Sequence, residues 1–429
     1  MRLSATGMSV ERYWDPNDPP DDEALIDQGP ESDLVLTTRR LVTDSVRRRL
    51  VADVPLGCFL SGGIDSSIIA AAMKASVGTG QEVLTFSIGF DDPHYDETGY
   101  AGEVAAHLGT THRQFTVRPD AAVDLPRLAE VFGEPFGDSS ALPTHYLSRE
   151  TRCHVKVALS GDGGDELFGG YDRYRAMALG ERVRALPWPL SSIAESDWWQ
   201  ELPGTHPKSL WSRLKRFLGS LPLSPESRYA SYLRITGDDA LADVLNTTAF
   251  RGFNEPTAWV VDHYRQMLAR DDRDVVSAAL ATDRLTYLPE DLLTKVDRCS
   301  MLHALEVRSP FMDPGLVRFA ATLDAPRLIR GGPKRLLRQA FAPDLPPGVF
   351  SRRKMGFAVP IGQWLRGELR QMFHDLVLGS GDSFTNTYLG RGAVETMWRE
   401  HAERTADHSQ ALYALLMLEL WWARERVVP

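Results

Sequence analysis

The chain has 429 residues, enough to bury a large core in more than one layer of secondary structure. Its 43% hydrophobic and 25% charged content is that of a globular protein, and a formal charge of −10 with a pI near 5.6 argues against a general nucleic-acid or membrane-surface binder. Cys58, Cys153 and Cys299 are scattered, with neither metal spacing nor a disulfide framework, which fits a reducing cytoplasm. There is no secretory apolar segment and no apolar run of about 18 residues, so the sequence does not support a membrane span.

Residues 1–32 are polar and rich in Pro and Asp, and read as an arm or linker. Leu34 to Val51 reads as an amphipathic helix with Arg39, Arg40, Arg47, Arg48 and Arg49 on its polar side. Strands are expected at Gly57 to Leu60, Glu82 to Phe90, His112 to Val117 and His154 to Ser160. Helices are expected at Ile68 to Ala75, Thr98 to Leu108, Asp120 to Phe132 and Leu142 to Arg152. Alternating strands and helices predict an α/β fold with a parallel, doubly wound sheet over residues 33–171. Residues 172–429 read as a mainly helical part of the same domain. There, Leu186 to Pro225 is a Pro- and Trp-rich, loop-rich insertion, Ala278 to Leu323 reads as two or three helices, and Gln410 to Arg424 as a buried terminal helix.

Two loops stand at predicted strand ends, where open α/β sheets bind ligands. The first is Ser61-Gly62-Gly63-Ile64-Asp65-Ser66-Ser67. Its glycines let backbone approach an anion, the helix start that follows favours phosphate, and the serines add hydroxyl donors. Asp65 is the partner expected for a nucleotide-bound magnesium ion. The loop is not a Walker A motif, because no G-x-x-x-x-G-K-[ST] occurs in the chain. The second is Ser160-Gly161-Asp162-Gly163-Gly164-Asp165-Glu166-Leu167-Phe168-Gly169-Gly170-Tyr171. Its three carboxylates within five residues repel one another unless a cation sits among them, which makes Asp165 a second magnesium ligand beside Asp65.

Taken together, these loops resemble the synthetase domain of the glutamine-dependent asparagine synthetases, an ATP-pyrophosphatase domain of the adenine nucleotide α-hydrolase-like type. The resemblance includes Tyr13-Trp14-Asp15, Leu293-Thr294-Lys295-Val296-Asp297-Arg298 with Ser300, and Glu306 to Asp313. It continues through Lys334-Arg335-Leu336-Leu337-Arg338 and Arg353-Lys354-Met355-Gly356-Phe357. It implies adenylation of a carboxylate by ATP, release of pyrophosphate, and attack of ammonia on the acyl-adenylate, with ATP and Mg2+ as cofactors. Ser61, Gly62, Gly63, Asp65 and Ser66 then form the pyrophosphate cradle, and Lys334 and Lys354 correspond to two phosphate-contacting lysines. Adenosine is expected near Phe59, Leu60, Ile88, Ser160 and Gly161. Asp162 stands where many relatives carry Glu and lactam-forming relatives carry Tyr, and is expected to deprotonate or orient the nitrogen nucleophile.

The resemblance implies aspartate as the acceptor, yet Phe136-Gly137-Asp138-Ser139-Ser140-Ala141-Leu142-Pro143 has no Arg where some relatives place a clamp for its α-carboxylate. Family members begin with a glutaminase domain whose nucleophile is an N-terminal Cys, whereas this chain has Arg2 and reaches the linker by Tyr13. The expectation is a cytoplasmic synthetase half served by a separate glutaminase subunit, by free ammonia or by an amine, and able to form a homodimer. Rival readings are a lasso-peptide or lactam cyclase, a biosynthetic amidotransferase, a non-catalytic nucleotide-binding subunit, and a tRNA-modifying pyrophosphatase. The last is disfavoured by the lack of a basic face or extra cysteines.

Overall fold

Five short segments lie side by side as a parallel sheet, the inner three apolar and the two edges polar: β3 (Leu56–Phe59), β4 (Leu84–Phe90), β5 (Thr111–Val117), β6 (Val157–Leu159) and β7 (Glu306–Arg308), in the order β5-β4-β3-β6-β7. Two further strands, β1 (Arg2–Ser4) and β2 (Gly7–Ser9), form a separate antiparallel hairpin. The computed structural model describes residues 2–4, 7–18, 30–78, 80–90, 92, 96–184, 210–245, 248–250, 257–270, 273–352, 359–379 and 381–426.

Strands β3 and β4 are mostly buried while β5 exposes Thr111, Arg113, Gln114 and Thr116, as suits a polar edge that resists further pairing. Alternation along the strands sends side chains to opposite faces. Cys58, Leu60 and Leu159 pack with α1 (Glu31–Arg49), α2 (Ile64–Ser76) and α3 (Thr98–Leu108). Phe86, Ile88 and Ala158 pack with α4 (Ala121–Phe132), α5 (Ala141–Arg152) and the helix Ser409–Glu425. Each fully buried Leu, Ile, Val or Phe contributes about 1.5–3 kcal/mol, so the helices are held by the faces they bury. The expected α/β, doubly wound sheet and the mainly helical C-terminal portion are both present.

Chain order runs outward from β3 to β5 on one side and from β6 to β7 on the other. The point where that order reverses lies between β3 and β6, whose pairing sets Gly57 beside Ala158 and Cys58 beside Leu159. Connections leave in opposite directions there and open a crevice at the strand ends. The two glycine-rich loops begin at that crevice.

Several boundaries differ from the sequence expectation. Strand β7 falls inside a stretch read as helical, because three residues with two charged ends carry too little pattern to announce a strand. The same stretch has helices at Val275–Leu285, Thr294–Met301 and Pro314–Thr322, with a π-helical turn at Leu288–Leu293. Pro289 sits in that turn and has no N–H for the regular ladder. Residues Leu210–Ser220, expected within a loop-rich insertion, form a helix, while residues 185–209 lie outside the described residues. The arm docks at its middle: Asn17 donates to the Ala281 carbonyl at 3.2 Å and accepts from Arg284 at 2.8 Å, and Asp15 accepts from Arg270 at 3.2 Å.

Candidate functional site

The first loop is organised by two of its own hydroxyls. Ser66 Oγ lies 3.0 Å from Ser61 Oγ and accepts from the Ser61 N–H at 3.2 Å, while Ser61 Oγ accepts from the Gly63 N–H at 3.3 Å. Gly63 is the N-cap of α2 and makes no side-chain capping bond, so the first N–H groups of this thirteen-residue helix carry the positive end of its dipole at the loop. Asp65 stands in that first turn.

The second loop leaves β6 and meets the first. A Cβ built on Gly161 would lie 2.8 Å from Asp65 Cβ and 2.9 Å from the Ser66 nitrogen, so only glycine permits this approach. Lys334 then closes the pair. Its ammonium bonds to Asp65 Oδ2 and lies 2.7 Å from Asp165 Oδ1. The lysine is 4% exposed and holds φ = 55°, a left-handed conformation rare for a residue with a Cβ, at the cap of the helix Arg335–Phe341. Burial pulls the ammonium's pKa down, but Asp165 and Asp65 outweigh it and leave Lys334 firmly charged. A side chain on Gly170 would strike both Asp165 Oδ1 and Lys334 Cε, so this packing also depends on a missing Cβ.

Beside this centre lies a second set of charges that the sequence reading left without roles. Lys295, 7% exposed, donates to Asp138 Oδ2 at 2.7 Å and to Ser140 Oγ at 2.7 Å. Burial pushes the Asp138 carboxyl up, yet Lys295 and the Ser140 bonds win and hold it ionised. Asp291, on the π-helical turn, is pushed up to about 7 by burial and by Asp138. Asp162 is raised by burial and by Asp165, opposed by Ser160 and Lys295. Glu166, 1% exposed, accepts from the Tyr171 hydroxyl and is raised to about 8 by burial and then by Asp165. Lys295 was visible as part of a motif, whereas Asp138 and Asp291 carry no sequence signal beyond their types.

Of the residues expected to form the site, Ser61, Gly62, Gly63, Asp65, Ser66, Ser160, Gly161, Asp162, Asp165 and Lys334 are brought together at the switch point. Phe59 ends β3 and Leu60 follows it, and Ile88 lies in β4 alongside. The Leu60 and Ile88 side chains are buried, and the Leu60 N–H is taken by the Phe86 carbonyl at 2.8 Å. Lys354 lies outside the described residues, which resume at 359. Among the described residues no cluster of three or more His, Cys, Asp or Glu forms an all-protein metal cage, and no helix is long and apolar enough to cross a membrane.

Residues 37–423 match the family described as asparagine synthase. A putative glutamine-hydrolysing asparagine synthetase of Mycobacterium tuberculosis (strain H37Rv) is 36% identical over 91% of this chain and 58% of its own length. Glutamine-hydrolysing asparagine synthetase 1 of Bacillus subtilis is 30% identical over 92% and 60%. Amidase chyE of Penicillium rubens is 25% identical over 85% and 58%. The chain thus spans less than two thirds of the length of these curated relatives.

Proposed function

The chain belongs to the asparagine synthase family, and from that premise we propose that it forms an amide bond through an acyl-adenylate, cutting ATP into AMP and pyrophosphate. The observation that carries this reading is the convergence of Asp65, Asp165 and Lys334 at the mouth of the Ser61–Ser66 loop. Such an arrangement meets a polyphosphate with helix-start N–H groups, hydroxyls and an ammonium, and uses no Walker lysine.

In this mechanism a carboxylate oxygen of the acceptor attacks the α-phosphorus and the bond to pyrophosphate breaks. Lys334 and the N–H groups of the first loop stabilise charge on the departing pyrophosphate, with Lys354 proposed as a further phosphate contact. Nitrogen then attacks the acyl carbon, AMP leaves with the bonding pair, and Asp162 accepts the proton that nitrogen gives up. The residues that would hold Mg2+ are Asp65 and Asp165. They fit it because both carboxylates already converge on one cationic centre, and magnesium is commonly held by one or two carboxylates plus substrate phosphates. Its chemistry there is charge neutralisation on the phosphates. Adenosine is proposed to lie along Phe59, Leu60, Ile88, Ser160 and Gly161, and catalysis is mainly positioning and electrostatics.

Aspartate is the proposed acceptor, with ammonia or glutamine-derived nitrogen as donor. One observation favours a second reading, an amide-former acting on another acid. The Lys295 charge is already engaged by Asp138, and the segment 136–143 supplies no Arg, so no unengaged cation is evident there for an α-carboxylate among the described residues. Phosphorus NMR of the products tests the chemistry, and formation of ADP and phosphate would overturn it. Isotope exchange between pyrophosphate and ATP, measured with aspartate, other small acids and peptides, selects the acceptor.

A further inference from the structure

Arg352 lies outside the charges that the proposed mechanism uses, yet it touches the phosphate loop. It caps the short helix Gly348–Ser351 and stands two residues before Lys354 in sequence. Its Nη1 donates to the Ser61 carbonyl at 3.1 Å, its Nη2 pairs with Glu97 Oε1, and its guanidinium carbon lies 4.1 Å from the centre of the Tyr100 ring. The Arg352 and Glu97 side chains are 10% and 14% exposed. Among the described residues Arg352 Nε has no hydrogen-bond partner, and the guanidinium meets its hydrogen-bonding neighbours there through its two terminal nitrogens. Gly62 presses on the backbone of Tyr100 and Ala101 with φ = 73°, and the space left among Gly62, Tyr100, Val349 and Arg352 is only about 10 Å³.

In a trans peptide the C=O and the following N–H point in opposite directions. A donor fixed on the Ser61 carbonyl therefore also fixes the direction of the Gly62 N–H. We propose that Arg352 is a positioning residue for the pyrophosphate loop: anchored by Glu97 and Tyr100, it locks the Ser61–Gly62 peptide so that the Gly62 N–H faces the departing pyrophosphate. This rests on the functional reading above. Arginine suits the task because one planar group spans the carbonyl, the carboxylate and the ring at once, which an ammonium cannot do.

The test uses the full chain and the variants R352A, R352K and E97Q, with Mg-pyrophosphate binding by calorimetry, KM for ATP and for the acceptor, and melting temperature. R352A should weaken pyrophosphate binding by about tenfold or more, the scale of one hydrogen bond to a charged group. The acceptor KM should stay within about twofold, since that side of the site is untouched. R352K should give an intermediate loss and E97Q should follow in the same direction, and these two carry the test if R352A does not fold. Variants that melt earlier but bind pyrophosphate as wild type does would make Arg352 merely structural and overturn the inference alone. Wild-type protein that binds neither pyrophosphate nor ATP would overturn the functional reading, and this inference with it.

Discussion

Replacing Lys334 by Met removes the shared cation between Asp65 and Asp165 while keeping a side chain of similar length. The left-handed backbone strain at position 334 is common to both proteins and cancels. What remains is the electrostatic loss. The Asp65 and Asp165 side chains are 18% and 15% exposed, and both rest on the one ammonium of a lysine side chain that is 6% exposed. Breaking a buried pair by removing one partner costs about 3–5 kcal/mol, because the other charge stays behind. At about 2.1 cal/mol/K of unfolding entropy per residue, a chain of 429 residues loses about 1 °C of Tm per kcal/mol, so K334M should melt about 3–5 °C lower. The paired carboxylates of the variant are also a stronger divalent site than those of the wild type. Magnesium at about a hundred times its Kd restores about 2.7 kcal/mol. Differential scanning calorimetry with and without Mg2+ reads both effects. A Tm loss that Mg2+ reverses no better than it raises the wild-type Tm would refute the idea that this pair is a cation site.

Other outcomes follow from the same charges. Asp65→Asn and Asp165→Asn should each lower turnover by orders of magnitude in product assays while leaving far-UV circular dichroism unchanged, and near-normal turnover of Asp165→Asn at low magnesium would rule out the two-loop arrangement. Glu166 has its folded pKa raised to about 8 from 4.5, so the native state keeps a proton that the unfolded chain has lost; stability falls as pH rises between these values, and Glu166→Gln should flatten that fall in denaturant titrations. Burial pushes the Cys58 and Cys299 thiols up to about 12, far from nucleophilic at neutral pH, and the exposed Cys153 caps the C-terminus of α5 with its thiol on the Arg149 carbonyl at 3.6 Å, so this polypeptide given glutamine and ATP should release no glutamate above background. Glutamate production abolished by a thiol reagent would contradict that.

The parts of this architecture that announce themselves in sequence are those with a period. Thr98 to Leu108 was legible to the residue, because its small and apolar positions recur at helical spacing. Of the first four strands of the sheet, β3, β4 and β6 are legible as short apolar runs, and β5 through Phe115 and Val117 alternating with polar residues. Strand β7 was not, since Glu306-Val307-Arg308 gains its strand identity only by pairing with β6. The two glycine-rich loops were legible through glycine density, but their mutual contact was not: nothing local says that Gly161 faces Asp65. The charges around Lys295 show the limit most clearly. Asp138, Asp291 and Lys295 lie on a loop, a π-helical turn and a helix start, and only packing holds the first carboxyl below its usual range and raises the second to about 7.

The way the site is assembled ties its chemistry to completion of the fold. Asp65 comes from the first turn of the helix after β3, Asp165 from the short helix after β6, and Lys334 from the cap of the helix Arg335–Phe341, whose Leu336 and Leu337 pack in the same core as α1 and α2. Neither carboxylate has a cation near it in sequence, so the acidic loops repel one another until the helical part of the chain delivers Lys334. Long-range closure of this kind is entropically costly and slow, but it is specific, since a misplaced helix leaves two partly buried carboxylates without their counter-charge. The same arithmetic explains the left-handed Lys334. A relaxed backbone there would point the ammonium elsewhere, and about 1–3 kcal/mol of local strain is smaller than the cost of an unbalanced pair. The strain is therefore what aims the one charge that both loops require.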